Sequence, residues 1–279
     1  MSSSQVSGFK SHPSPPPPAA CPLSESFAIQ CRVVWALILR EMLTRFGRHN
    51  IGFAWMFVEP MMFTVGVTTI WTILGMHKGS TIPIAAFALT GYSCILLWRN
   101  MPGRAESAVK MNIPLLYHRN VRILDLFLAR LILEGAGATM SFIILGVIFT
   151  WIGWIAPPEN ILLVIIGWFA MAFFGISFAM FVGAWSTKCH WVEKIWHPAA
   201  YLLVPLSGAM FLVDSLPKKA QEFMLYVPMV HGCECIRDGY FGSHFKAYYS
   251  LAYITLFSLI LLIVAMIVLK KARHNVEHH

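Results

Sequence analysis

Six apolar runs, each near the length of a bilayer, constrain this chain more than any other feature. They lie at about 51–74, 82–101, 123–151, 160–186, 195–213 and 248–269. A helix needs roughly 20 apolar residues to cross the hydrocarbon core of a membrane. The expected fold class is therefore an all-α integral membrane protein with six transmembrane helices. Charge agrees, since Asp, Glu, Lys and Arg make up 12% of the chain, about half the share in soluble domains.

The net charge of +8 is arranged as a topology signal and does not suggest nucleic acid. With the N terminus inside, the inner segments hold Lys10, Arg32, Arg40, Arg45 and Arg48, then Arg99, Arg104, Lys110, Arg119 and Arg122. Lys188, Lys194, Lys270, Lys271 and Arg273 complete that side. The outer segments hold only Lys78, Lys218, Lys219, Arg237 and Lys246. Cytosolic segments carry the excess of basic residues, so both termini are expected to be cytoplasmic.

Residues 1–24 are rich in Ser and Pro, with four prolines at 15–18, and read as a disordered cytosolic tail. From 25 to 49 the apolar positions Phe27, Val34, Leu37, Ile38 and Met42 follow helical spacing. This predicts an amphipathic helix lying along the inner surface. It ends in the basic group Arg40, Arg45, Arg48 and His49, after which no Lys or Arg appears until Lys78. The spanning domain should run over 50–271, with a short cytosolic tail at 272–279.

Besides Arg99 and Asp125 near span ends, three charges fall inside the predicted spans. Glu59 precedes Pro60 and lies about 12 Å in from Ile51 at 1.5 Å per residue. A carboxylate at that depth should face protein or water. It is either a structural bracket or part of a conduction path. Glu134 lies about 17 Å in from Ile123. Arg130, four residues before it on the same face, is its expected partner.

The inner loop 99–122 is predicted to hold a short helix at Arg104–Lys110, followed by Pro114 and a basic cluster at His118, Arg119 and Arg122. Outside, 75–81 and 152–159 are short, whereas 214–247 is long and apolar. Pro217, Pro228 and Gly232 divide it, which predicts two short re-entrant helices. Cys233 and Cys235 are too close in sequence for an ordinary disulfide framework. The stretch HGCEC (His231–Cys235) has no second ligand cluster nearby, so no metal site is expected.

Nothing here matches a phosphate-cradling loop, a His-Glu-x-x-His helix or a Gly-x-Ser-x-Gly elbow. No cofactor is expected in this chain, and it is not expected to be an enzyme. The two halves show no repeat of their Gly/Pro breaks, which weighs against an ion-coupled carrier.

Five pieces in order carry a resemblance: REMLTRFG (Arg40–Gly47), GFAWMFVEP (Gly52–Pro60), NIPLLYHRNVRILDLFLAR (Asn112–Arg130), SGAMFLVDSLP (Ser207–Pro217) and VPMVHGCECIRDGYFG (Val227–Gly242). Together the chain resembles the permease subunit of capsular polysaccharide exporters, within the ABC-type-2 permease superfamily. The resemblance covers about 27–271. It implies a homodimer in the Gram-negative inner membrane, docked to a separate cytosolic ATPase that binds ATP and Mg. It implies a lipid-linked acidic polysaccharide as cargo, with a periplasmic co-polymerase and an outer-membrane channel as further partners. The ATPase contact is implied for Phe27–Gly47 and Arg104–Asn112, with Arg104, Glu106 and Lys110 as coupling residues. The outer gate is implied for Ser215–Asp238.

Substrate contacts are expected from Arg40, Arg45, Arg48, Arg119 and Arg122 at the inner headgroup level, and from Arg237 near the exit. Trp35, Trp55, Trp71, Tyr92 and Trp98 lie near membrane boundaries, as an aromatic belt would. Some, Trp55 among them, can instead offer flat faces to sugar rings. Two other functions fit the same residues: a permease for a drug or small lipid, and a membrane-embedded transferase acting on lipid-linked sugar.

Overall fold

The computed structural model describes residues 23–46, 50–75, 82–112, 121–242 and 246–276. The proline-rich tail up to residue 22, the loop 76–81, Arg48, His49, His118, Arg119 and the terminal EHH lie outside the described residues. Among those described, nine α-helices form and no strand does. Four segments are long and apolar enough to cross a bilayer: Phe57–Leu74, Ile123–Trp151, Ile161–Ser186 and Leu251–Lys271.

Helix α1 (Leu23–Phe46) covers most of the stretch 25–49 that was expected to be helical. Leu37 and Ile38 bury against Leu126, Ala129 and Leu133 of α4 (Ile123–Trp151). Polar pairs reinforce that seam, for Gln30 donates to Asp125 and Arg40 Nη1 donates to Asn112 Oδ1 at 2.6 Å. Helix α2 (Asn50–Leu74) contains Pro60 yet runs unbroken. Thr64 donates to the Pro60 carbonyl, Thr68 to Thr64 and Thr72 to Thr68. The hydroxyls are thus satisfied within the helix, as an apolar medium demands.

Helix α3 (Ile84–Met111) corrects an expectation. The predicted short helix at Arg104–Lys110 is not a separate element; those residues continue α3 past Pro102. Trp98, Met101, Ala105 and Ala108 are all 1% exposed or less. Their spacing of three and four keeps one apolar stripe on the core, so continuing the helix buries more than ending it would. α5 (Ile161–Ser186) packs along α3. A Cβ at Gly175 would meet the Leu97 carbonyl oxygen at 2.9 Å, and one at Gly183 would meet Ala105 Cβ at 2.9 Å. Small residues let two membrane helices approach closely and gain dispersion contact in place of a hydrophobic drive. Phe127 and Leu131 of α4, Met171 and Phe174 of α5, and Ile254 of α9 (Leu251–Val276) close the core.

The predicted span at 195–213 is also different. α6 (His190–Leu203) has 14 residues, about 21 Å at 1.5 Å per residue, and stops before Pro205. The chain then turns without regular structure to a single 3-10 turn at Val213–Ser215. Two short helices follow where two were expected, α7 (Lys218–Met224) and α8 (Pro228–Phe241).

Buried polar side chains of α8 explain how the irregular stretch is tolerated. Arg237 is fully buried. It donates to the carbonyls of Gly208, Phe211 and Ala209 at 2.6, 2.7 and 2.6 Å. Its guanidinium lies 4.1 Å over the Phe87 ring. Glu234, one turn earlier, accepts from Val213 N at 3.4 Å and Tyr248 N at 3.3 Å. His231 Nε2 bonds the Leu225 carbonyl and its Nδ1 accepts from Ser250 N. Irregular backbone buried away from water survives only where protein groups satisfy it, and α8 supplies such groups at every third position.

Candidate functional site: an arginine-lined cavity

A cavity of about 370 Å³ opens where α2, α3, α4 and α6 meet the end of α1. Each element brings polar residues to this place. α2 contributes Glu59, α3 contributes Tyr92, Arg99 and Arg104, and α4 contributes Glu134. α6 adds Trp196, His197 and Tyr201, and α1 adds Arg45. Three arginines therefore face two carboxylates.

Glu134 does not pair with Arg130, which corrects the i, i+4 expectation. Arg45 pairs with Glu134 Oε1, and Arg104 Nε stands 2.9 Å from the same oxygen. Arg130 turns instead to α1 and α3. Its Nε lies 3.2 Å from Glu41 Oε1, and its Nη1 donates to the Arg104 carbonyl and to Ser107 Oγ. The reason is positional: α1 crosses α4 at this level, so partners from another helix reach each charge with better geometry than its own helix offers. Arg99 is held differently. Its Cζ lies 4.3 Å over the Tyr201 ring, an attractive placement for a guanidinium.

The end of α3 beyond the cavity is tied to α6. Glu106 Oε1 is 3.2 Å from His197 Nε2, and Lys110 pairs with Glu193. Glu106 is buried and its Oε2 finds no hydrogen-bond partner among the described residues. Burial, aided by the charge of Glu193 and opposed by Lys110, pushes its carboxyl up to about 7.

The residues singled out from sequence thus fall in several places. Arg45, Glu59, Arg104 and Glu134 come together at the cavity. Arg40 is engaged by Asn112, and Arg122 is exposed at the N-cap of α4. Neither lines the cavity. Trp55 is half exposed on α2, away from the cavity wall. Arg237 is enclosed near Phe87 and occupied by carbonyls. Arg48 and Arg119 lie outside the described residues. Arg99 carried only a topology signal in the sequence, and Tyr201 and His197 carried none. The one readable hint was the abrupt Trp98-Arg99-Asn100 after an apolar run.

Known proteins bear on this arrangement. Residues 32–241 match the family described as ABC-2 type transporter. Over 253 residues, 91% of this chain, it is 44% identical to the capsule polysaccharide export inner-membrane protein CtrC of Neisseria meningitidis serogroup B (strain ATCC BAA-335 / MC58), covering 96% of that protein. It is 39% identical, with the same shares covered, to the capsule polysaccharide export inner-membrane protein BexB of Haemophilus influenzae. Over 86% of this chain and 93% of the other, it is 26% identical to the polysialic acid transport protein KpsM of Escherichia coli. The family match spans most of the chain and takes in every residue that lines the cavity, so this protein belongs to the ABC-2 type transporter family.

Proposed function

We propose that the chain is the membrane subunit of an ATP-driven exporter that moves lipid-linked acidic polysaccharide across the Gram-negative inner membrane. The observation that carries this is the 44% identity, over 91% of the chain, to a protein named for capsule polysaccharide export. The cavity supports it, because three arginines against two carboxylates favour an anionic cargo in a medium that screens charge poorly.

The finer reading follows the family. Two copies form the channel, each with six spans and both termini in the cytoplasm. A cytosolic ATPase binds ATP and Mg and docks against α1 and the end of α3. The segment with α7 and α8 closes the outer side as re-entrant helices. A periplasmic co-polymerase and an outer-membrane channel continue the route. Six helices per copy are mostly consumed in their own packing, so a wide path needs a second copy. The exposed apolar side chains of α2 and α6, such as Met62, Phe63, Ile195 and Leu202, supply surface for it. The ends of α3 and α6 are joined by Lys110–Glu193, so force applied to either reaches the cavity wall through Arg104 and Tyr201.

Deletion of the gene in its host, with complementation, tests the function. Export is supported if the deletion leaves polymer inside the cell and bare of the surface, and if the purified protein brings an ATPase subunit with it. Unaltered surface polymer in the deletion strain overturns it.

A further inference from the structure

We infer that Arg99, held against Tyr201 in the cavity wall, receives the anionic group of each acidic sugar unit as the polymer passes. The group is a carboxylate or a phosphodiester. The inference rests on the export reading above and names the residue that reads the cargo's charge.

Three observations converge. First, the cavity's other two arginines are committed to Glu134, at one shared oxygen. Among the described residues no carboxylate stands within ion-pair distance of Arg99. Second, the Arg99 Cζ lies 4.3 Å from the centre of the Tyr201 ring, a contact that anchors the guanidinium. A guanidinium carries five N–H donors, and contact with an uncharged ring leaves its charge unneutralised for a ligand. The planar fork matches carboxylate and phosphate oxygens in pairs. Third, Tyr201 is 67% exposed, so its ring edge and hydroxyl are accessible beside the arginine, where a sugar ring carrying the anion would lie. Glu59, on the same cavity, offers acceptors for sugar hydroxyls.

The strength of such a site suits transport. Conduction needs binding that admits the cargo and still releases it. One ring-backed arginine does this, whereas three free ones would retain a polyanion. Glu134 neutralises part of the charge of Arg45 and Arg104 and keeps the site from becoming a trap.

A topology signal needs only positive charge, which lysine supplies; a reader of carboxylate or phosphodiester oxygens needs the planar fork. The test therefore uses the exporter complex in lipid nanodiscs and three fluorescent oligosaccharides. One bears carboxylates, one is the same chain with its carboxyls reduced to alcohols, and one is linked by phosphodiesters. Losing a charge-assisted bidentate contact should weaken binding about tenfold. R99Q and R99K should both show that loss for whichever anionic oligosaccharide the wild type binds, while the reduced one binds as before. Y201F, which keeps the ring, should match wild type, and Y201L should resemble R99Q. Two anionic chains that both lose affinity assign the site to either anion; loss for one alone assigns it to that one. Wild-type affinity in R99K and R99Q overturns the assignment to Arg99 while leaving export intact. A wild-type complex that binds none of the three overturns the export reading and the assignment together.

Discussion

Arg130 pairs across helices with Glu41, its Nε 3.2 Å from Glu41 Oε1, and not along its own helix with Glu134. The pair joins α1 to α4 beside the cavity. Arg130 is 5% exposed and Glu41 17%, so removing one partner strands a charge with little water. Breaking a buried pair typically costs 3–5 kcal/mol, whereas replacing both partners by apolar groups is often neutral. E41A should therefore lower stability by about 3 kcal/mol, and the double substitution E41M/R130M should regain most of it. Thermal unfolding of the purified protein in detergent measures both. An E41A midpoint equal to wild type would show the pair to be incidental.

Arg237 makes a contrasting prediction. It was expected to touch cargo, but its donors serve Gly208, Ala209 and Phe211. A Cβ at Gly91 would lie 2.8 Å from its Nη2 and 2.4 Å from the Ala209 carbonyl oxygen, so α3 has a glycine where the bracket passes. R237M removes the arginine donor from all three carbonyls and leaves Gly208 only the weak Cys233 thiol at 3.7 Å, each unsatisfied carbonyl costing about 1–3 kcal/mol. The expected result is loss of folded protein, with R237K partly restoring yield because it returns one charged donor. Normal yield of R237M with altered cargo affinity would return Arg237 to the translocation path.

These residues show why part of the molecule was legible in its sequence. The long apolar runs at α2, α4, α5 and α9 follow from bilayer thickness, which acts on each segment alone. The helix at Leu23–Phe46 followed from periodicity, and Asp125 caps α4 from three residues away. The pairing of Glu134 was not legible, because spacing along one helix says nothing of α1 lying across it. The sequence suggests a separate short helix at the end of α3 because Pro102 and the polar Arg104, Glu106, Ser107 and Lys110 hide a stripe that only the core reveals. The cavity draws on Arg45 and Tyr201, 156 positions apart, and no local pattern joins them.

Glu106 predicts a pH dependence. Its carboxyl is pushed up from 4.5 to about 7, first by burial. The fold thus favours the neutral form. The stability tied to that form is complete below the ordinary value of 4.5 and is lost as pH rises through about 7. The wild-type unfolding midpoint should fall between pH 5 and pH 8, and E106Q, neutral throughout, should flatten that stretch. A wild-type slope that persists in E106Q would place the titration elsewhere.

Lys110 and Glu193 join the end of α3 to the start of α6. Lys110 is 44% exposed and Glu193 33%, so the pair should add well under 1 kcal/mol to stability. On the export reading proposed above, its expected value is mechanical: it makes the two helix ends move together when a partner ATPase docks, carrying motion to Arg104 on one side and Tyr201 on the other. K110E and E193K alone should each leave insertion and unfolding midpoint near wild type while lowering ATPase-driven export. Each would place like charges side by side and push the two ends apart. K110E/E193K restores the attraction with its signs reversed, so export should recover if contact between the ends is what matters. Recovery of export without recovery of ATPase retention would assign the pair to transmission. If neither recovers, Lys110 meets the ATPase directly, and its pairing with Glu193 is only the resting position of a docking side chain.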